Sequence, residues 1–387
     1  MALPPIKFNK QELAGAFGDI GTDFPLIIAM ILAAGLYAPG VLIVFGLMQV
    51  ITGLVYRMPM PVQPLKAMAT IVITQKIAGP VLLGAGLAIG VVMLVLSLTG
   101  ALDKLTQLVP KAVIRGIQMG LGISLCALAV KEYVGVDGWP GYLVAFLAFA
   151  LIVLFMDNKR FPAALLVILL GFIYAFGFKV DANNLYNALG FHLPQIQWPN
   201  TQQIWQGFLL LALPQIPLSL GNSILATKQV TTDFFPQRTE LTVQKIGLTY
   251  SLMNLTVPFL GGIPVCHGAG GMVGHYAFGG RTGGSVVIYG VLYIVLGLFF
   301  GNGFAEVIKV FPLPILGTIL FFEGLSLILL MKDVLGQGKP FVIAVLVALL
   351  AFALPYGFVV ALVVGTILYY APIPLNTLQQ LGGGGSK

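Results

Sequence analysis

Charged residues are scarce in this chain. Only 9% of its 387 residues are Asp, Glu, Lys or Arg, whereas 58% are hydrophobic. Because a soluble domain has about 25% charged residues, this composition excludes an ordinary soluble fold. It predicts an all-α polytopic membrane protein that has the lipid bilayer as its surroundings. The net charge of +7 is then no sign of nucleic-acid binding, and the placement of the charges matters more than their sum.

Cysteine and the common catalytic motifs are also lacking. The two cysteines, Cys126 and Cys266, both lie in apolar segments, which argues against a structural disulfide. There is no phosphate-binding loop of the type G-x-x-x-x-G-K-[ST], no G-x-S-x-G elbow and no H-E-x-x-H pair. Cys266 and His267 have no further Cys/His cluster beside them, so no metal site is predicted. We expect neither a cofactor nor enzymatic activity.

Apolar runs bounded by proline, glycine or charge divide the chain into about fourteen predicted spans. The only long hydrophilic connection, residues 179–205, separates a first half (1–178) from a second half (206–371). We expect this connection on the extracellular or periplasmic side. The segment 372–387 is expected to be a cytoplasmic tail that ends in an added flexible linker, Gly382–Lys387.

The orientation follows from the basic residues. With the N-terminus in the cytoplasm and fourteen spans, both termini are cytoplasmic, and most of the 20 Lys and Arg residues fall on the cytoplasmic side. This bias is the positive-inside rule. The N-terminal residues lack the apolar core of a cleaved signal peptide. We therefore expect a multi-pass protein of the cell membrane.

Pairs of landmarks recur in the two halves in the same order and at the same spacing to within one residue, which indicates a seven-plus-seven duplication. Because seven is odd, the second copy is inverted in the membrane, a common plan in transporters. Coincidence among the many Gly and Pro residues is the alternative. The landmarks are Gly18-Asp19 with Gly221-Asn222, Pro61-Val62 with Pro264-Val265, and Pro110 with Pro312.

Two stretches are unsuited to a continuous spanning helix. Pro59, Pro61 and Pro64 favour extended backbone in the third span, and Gly261–Gly284 is unusually rich in glycine in the tenth. Each span is predicted to hold only a half-helix that begins inside the membrane, at Pro64 in the third span and at about Pro264 to Cys266 in the tenth. In an inverted repeat, the two helix N-termini face each other near the midplane. Their positive dipole ends would attract an anion.

The candidate site residues lie at these two helix starts. Lys66, the lysine placed deep in a span, either compensates the charge of a bound anion or forms an ion pair with Asp19 or Asp23. His267 either donates to an oxyanion or bonds a neighbouring carbonyl as a structural residue, and Cys266 is a small packing residue. The predicted site comprises Gln63, Lys66, Cys266, His267, Gly268, Ala269 and Gly270.

Further polar residues lie in neighbouring spans. Asp19 and Asp23 are four residues apart on one helical face, which suggests proton coupling; the alternative is that one of them caps a helix break. Asn222, the repeat partner of Asp19, offers neutral hydrogen bonds. Glu323 is an intramembrane carboxylate without an assigned role. Gln49, Gln118 and Gln215 are candidates for lining a cavity or bonding between helices.

Three segments resemble the molybdate transporter branch of the sulfate-permease superfamily. They are ELAGAFGDIGTD (12–23), PVQPLK (61–66) and PVCHGAGG (264–271), the last followed by Tyr276, Phe278, Gly279 and Arg281. The resemblance implies fourteen segments, a core domain and a gate domain each built from both repeats, and a site between the third and tenth segments. It also implies the substrate, molybdate.

The expected function is secondary active import of molybdate across the cytoplasmic membrane by alternating access. The two carboxylates beside the anion site suggest that the import is coupled to protons. Asp19 and Asn222 would flank the oxyanion, and Asp19 or Asp23 would carry the proton. Tungstate, sulfate and a homodimer are left open. The alternatives are a general oxyanion carrier, a nucleobase/proton symporter of the same fold, a passive anion channel, and an intramembrane enzyme using His267 and Cys266.

Overall fold

The computed structural model describes residues 5–102, 109–155, 163–178, 183, 189–299 and 312–372. Parts of the predicted connection 179–205 and the predicted tail after residue 372 lie outside these ranges. The helices within them are α1 Lys10–Ala16, α2 Ile20–Ala34, α3 Ala38–Tyr56, α4 Lys66–Gln75, α5 Gly79–Thr99, α6 Lys111–Tyr133, α7 Trp139–Phe155, α8 Ala163–Phe178, α9 Thr201–Phe234, α10 Val243–Thr256, α11 Ala269–Ala277, α12 Gly284–Phe299, α13 Leu313–Asp333, α14 Lys339–Ala353 and α15 Gly357–Tyr370.

Five of the described helices, α3, α5, α6, α9 and α13, are long and apolar enough to cross a membrane. Six shorter apolar helices accompany them. These lengths agree with a multi-pass membrane protein, because a span needs about 20 apolar residues unless it is tilted, broken or buried within protein. The count of fourteen crossings, the inverted repeat and the cytoplasmic location of the termini stay predictions.

Two short strands depart from the predicted all-α fold. β1 (Val62–Pro64) pairs antiparallel with β2 (Val265–His267), with Gln63 opposite Cys266. Pro61 and Pro264 directly precede the two strands and Pro64 ends β1, and proline favours extended backbone in the residue before it. The pairing extends at both ends, because the carbonyl of Pro61 accepts from Gly268 N at 3.2 Å and the carbonyl of Pro264 accepts from Leu65 N at 3.2 Å. The two proline-containing stretches are thereby joined side by side.

The half-helices follow the strands directly. α4 begins at Lys66 rather than at Pro64, and α11 begins at Ala269 rather than at Pro264 to Cys266. The expected helix starts were therefore wrong by a few residues, since the strand pairing keeps those residues extended. As a result, Cys266 and His267 lie in a strand, while the backbone of Ala269 and Gly270 forms the first turn of α11.

Two buried amide side chains hold the strands in place. Gln49 of α3 donates to the carbonyl of Val62 at 2.7 Å and accepts from its N–H at 2.9 Å. Asn254 of α10 bonds Val265 in the same two-way manner, at 2.7 and 3.0 Å. Both amides are fully buried. In a two-stranded sheet each strand has an outer edge that faces no other strand. Each amide bonds the N–H and the carbonyl of the valine on that edge.

Replacing Asn254 with leucine is expected to destabilise the fold by about 2–5 kcal/mol, because a buried N–H and a buried carbonyl of Val265 would each lose their partner. The measurement is thermal unfolding of the purified variant in detergent. Thr256→Val is the control on the same helix, since the Thr256 hydroxyl is exposed and bonds only carbonyls of α10. Equal stability of both variants would contradict this role of Asn254.

Candidate anion-binding site

A cavity of about 320 Å³ lies at the starts of the two half-helices. One water molecule occupies about 30 Å³ in the liquid, so the cavity has room for a small oxyanion together with some water. Eight of the predicted site residues line it: Gln63, Lys66, Asn222, Cys266, His267, Gly268, Ala269 and Gly270. The sequence prediction and the geometry therefore select the same region of the chain.

Some of the backbone N–H groups in the first turn of α4 already have a hydrogen-bond acceptor. Gln215 of α9 accepts from the backbone N–H groups of Ala67 and Met68 at 2.9 and 3.2 Å. The N-cap residue itself, Leu65, makes no capping hydrogen bond with its side chain. Because Gln215 uses these two donors, α4 contributes mainly its dipole and the Lys66 ammonium to the cavity.

The start of α11 is more open. Gly268 occupies the N-cap position without a side-chain cap, and Gly270 is exposed. A Cβ on Gly270 would meet no atom within 4 Å, whereas a Cβ on Gly271 would lie 2.2 Å from Asp19 Oδ2. The backbone at Gly270 is thus accessible from the cavity. A helix start of this kind favours an anion through its unpaired N–H groups and its dipole.

Gln63 connects the cavity to a buried carboxylate. Its Nε2 donates to both oxygens of Asp19, at 2.8 and 2.7 Å, and its side chain covers Gly268 so closely that a Cβ there would lie 2.3 Å from Gln63 Cδ. Asp19 precedes α2 at the N-cap position but makes no capping bond with its side chain. Asp19 therefore orients Gln63 from behind and does not itself line the cavity.

Asp23 lies one turn along α2 from Asp19. Both carboxyl groups are buried, at 4% and 2% exposure, and they interact with each other. Asp23 Oδ2 has no hydrogen-bond partner among the described residues. Neither carboxyl group belongs to the lining of the cavity. A pair of buried carboxyls in contact holds one proton between them more readily than two negative charges.

Lys66 forms an ion pair with Glu323, and not with the two aspartates considered from the sequence. Lys66 Nζ lies 2.6 Å from Glu323 Oε1 of α13, and the two side chains are 34% and 11% exposed. Lys66 is the only Lys or Arg that lines the cavity in the described part of the chain. The sequence indicated that Lys66 needs an acidic partner within the apolar spans, but not which of the three carboxylates it would be.

Cys266 and His267 lie on opposite faces of β2, since successive side chains of a strand alternate. Cys266 shares its face with Gln63, and it is buried. The His267 ring is also buried, and its Nε2 lies 2.7 Å from the Thr249 hydroxyl and 3.5 Å from that of Tyr56. The ring thus bonds hydroxyl groups, not the neighbouring carbonyl considered as its structural partner.

The opposite wall comes from α9 and α13. Asn222 and Ser223 lie in a π-helical segment of α9, Ser219–Leu225, a local distortion that is frequent at functional sites. Ser326 of α13 completes the polar lining. Sequence reasoning missed Ser223 and Ser326, because single serines in apolar helices carry no pattern of their own. The only available signal was their position in the sequence: Ser223 is next to Asn222, and Ser326 follows Glu323 by three residues.

Comparison with known proteins gives a consistent result. A family profile described as "Molybdate transporter of MFS superfamily" matches residues 11–125 and 207–327. "Molybdate transporter 1" of Arabidopsis thaliana is 32% identical, over 92% of this chain and 87% of that protein. "Molybdate transporter 2" of the same plant is 31% identical, over 88% and 82%. This chain belongs to the molybdate transporter family.

Solved structures show the same fold. The transmembrane domain of the cyanobacterial bicarbonate transporter BicA has a TM-score of 0.63 at 20% identity, over 94% of this chain and 97% of that one. The anion transporter SLC26A9 has a TM-score of 0.67 at 14% identity, over 96% and 65%. The predicted likeness to sulfate-permease transporters is confirmed at the level of the fold. The family and the fold are those of membrane transporters of anions, and not of enzymes.

Proposed function

We propose that this protein imports molybdate across the cell membrane as a proton-coupled secondary transporter that works by alternating access. The carrying observation is the cavity at the two helix starts, which combines the Lys66 ammonium with the open first turn of α11. The names of the plant relatives support molybdate as the substrate. Tungstate and sulfate, which have the same tetrahedral shape and charge, are the nearest competitors.

The oxyanion would bind between α4 and α11. Lys66 would supply a charged donor, and the backbone of Ala269 and Gly270 would supply neutral donors. Gly268, whose N–H bonds the carbonyl of Pro61, would line the site without a side chain. Asn222 and Gln63 would bond further oxygens, with Asp19 fixing the orientation of Gln63. Cys266 and His267 would shape the wall that the strand β2 provides.

The proton would reside on the Asp19–Asp23 pair. A dianion is repelled by nearby carboxylates, so its binding is favoured when the pair is protonated. Release of the proton on the cytoplasmic side would restore the repulsion and expel the substrate. This linkage would couple inward movement of molybdate to inward movement of protons.

Alternating access would divide the fold into two bodies. The core domain would contain both half-helices, and the gate domain would contain α13, with each domain built from both repeats. Fourteen crossings with cytoplasmic termini complete this proposal. Movement of one domain past the other would expose the cavity to each side in turn, as in other transporters with inverted repeats.

A nucleobase/proton symporter is the second function considered for this fold. It would require carboxylates in the eighth and tenth spans to bond the base. This chain has Asn222 and Cys266-His267 at those places. The neutral amide and the open helix start favour an anion over a base.

The test is uptake of labelled molybdate into proteoliposomes with an imposed pH gradient, acidic outside. The expected result is saturable, concentrative uptake that stops when an ionophore collapses the gradient. Uptake that neither saturates nor depends on the gradient would indicate a passive channel. Uptake that is competed by uracil but not by tungstate would favour the symporter for nucleobases.

Replacing Gly270 with alanine tests the role of the α11 backbone. The new methyl group meets no atom within 4 Å and alanine is a better helix former by about 1 kcal/mol, so the protein should fold normally. We expect molybdate affinity to fall by about tenfold, because the methyl group would obstruct the helix start. Gly221→Ala, equally free of contacts and outside the lining, is the control. Unchanged molybdate affinity in Gly270→Ala would contradict the proposal that the backbone at the start of α11 binds the oxyanion.

A further inference from the structure

Glu323 occupies a place in the site that the proposed transport cycle does not yet use. Its carboxylate lies 2.6 Å from Lys66 Nζ, and the two residues are 257 positions apart in the chain. Ser326, Leu327 and Leu330, further along the same helix α13, line the cavity. The ion pair therefore forms at the edge of the cavity and joins α13 to the start of α4.

In this ion pair the Lys66 ammonium, the cation of the site, is bound to the Glu323 carboxylate. Lys66 can donate to an incoming oxyanion at full strength only when the Glu323 carboxylate withdraws. A site whose binding-competent form is a minor fraction binds its ligand more weakly by that fraction. Within the described residues, Asp19 and Asp23 also act on Lys66, and both add negative charge.

We propose that Glu323 is a positioning residue that competes with the substrate for Lys66. In the empty site it holds Lys66 and joins α4 to α13. When the oxyanion binds, Lys66 turns to it, and the Glu323 carboxylate is released into the cavity. The contact between α4 and α13 is then broken at the step where the two domains must move.

This inference rests on the proposed function, and it adds a testable consequence. Molybdate should bind more tightly when the charge of Glu323 is removed, because Lys66 then has no internal anion to hold it. Asp19 and Asp23 also act on Lys66, so the effect of Glu323 must be separated from theirs by substituting Glu323 alone.

The test is calorimetric titration of purified protein with sodium molybdate at one fixed pH. Glu323→Gln keeps the size of the side chain and removes its charge. We expect about tenfold tighter binding, together with slower uptake in proteoliposomes. Glu323→Asp keeps the charge but shortens the reach to Lys66, so it should give a smaller gain. Lys332→Gln, which removes a charge from an exposed residue of the same helix outside the cavity lining, should bind molybdate as the wild type does.

Equal or weaker binding in Glu323→Gln would overturn the inference. If this variant does not fold, the comparison of Glu323→Asp with Lys332→Gln decides instead, since only the first should bind molybdate more tightly than the wild type; equal binding by the two would overturn the inference. A wild-type protein that binds no molybdate would reject the proposed function itself. The two failures are thus distinguishable.

Discussion

Replacing Lys66 with alanine is expected to reduce molybdate uptake by roughly 100-fold or more. Lys66 is the only Lys or Arg that lines the cavity within the described residues, and its side chain is half-buried. Loss of a charged donor that is desolvated on binding commonly costs about 2–5 kcal/mol of binding. The same change leaves the Glu323 carboxylate without its partner. An unpaired charge in such a place also lowers the stability of the fold. Uptake and thermal unfolding should therefore both be measured.

Two further variants separate the loss of binding from the loss of stability. In Lys66→Ala/Glu323→Ala no carboxylate is left unpaired, so stability should recover while uptake stays low. Lys76→Ala is the control at the C-cap of the same helix, because Lys76 forms an exposed ion pair with Glu132 that contributes little. Recovery of uptake in the double variant would contradict the role of Lys66 as a ligand of the oxyanion.

Replacing Asp23 with asparagine is expected to abolish concentrative uptake while molybdate exchange continues. The change removes one titratable group of the carboxyl pair and leaves the hydrogen bonds between Gln63 and Asp19 in place. Without a proton to carry, uptake driven by a pH gradient should fall by about tenfold or more. Counterflow, in which internal unlabelled molybdate exchanges with labelled molybdate outside, should stay near the wild-type rate.

The control for Asp23 is Asp233→Asn. Asp233 lies near the end of α9, is exposed, and accepts a hydrogen bond from Gln229. Uptake by this variant should match the wild type under every condition. If Asp23→Asn accumulated molybdate as well as Asp233→Asn does, the proton would have to bind elsewhere, and Glu323 would be the next residue to test.

The sequence predicted the location of the site because its signals are local. Proline forces extended backbone in 61–64, and glycine weakens the helix in 268–271, so both breaks could be recognised without knowledge of the fold. Once the two breaks were aligned as equivalent positions of a predicted inverted repeat, the two helix starts were expected to face each other near the midplane. Lys66 and the residues of β2 were then predicted as neighbours, and they line one cavity.

The partners of these residues could not be predicted, since they depend on how distant segments pack. The Lys66–Glu323 pair joins residues 257 apart, and both aspartates were equally reasonable partners for Lys66. The antiparallel register of β1 and β2 depends on the same packing. The repeat did hold one unused signal, because Gln49 and Asn254 are amides in the spans before the two strands, and each bonds the valine of its strand.

The central claim is that an oxyanion binds between Lys66 and the start of α11. The most direct measurement is calorimetric titration of the wild type and of Lys66→Ala with molybdate, tungstate, sulfate, phosphate and uracil. We predict that the wild type binds molybdate and tungstate well above sulfate and phosphate, and that Lys66→Ala binds none of them measurably. Binding of uracil alone, or equal binding of molybdate by both proteins, would contradict the account.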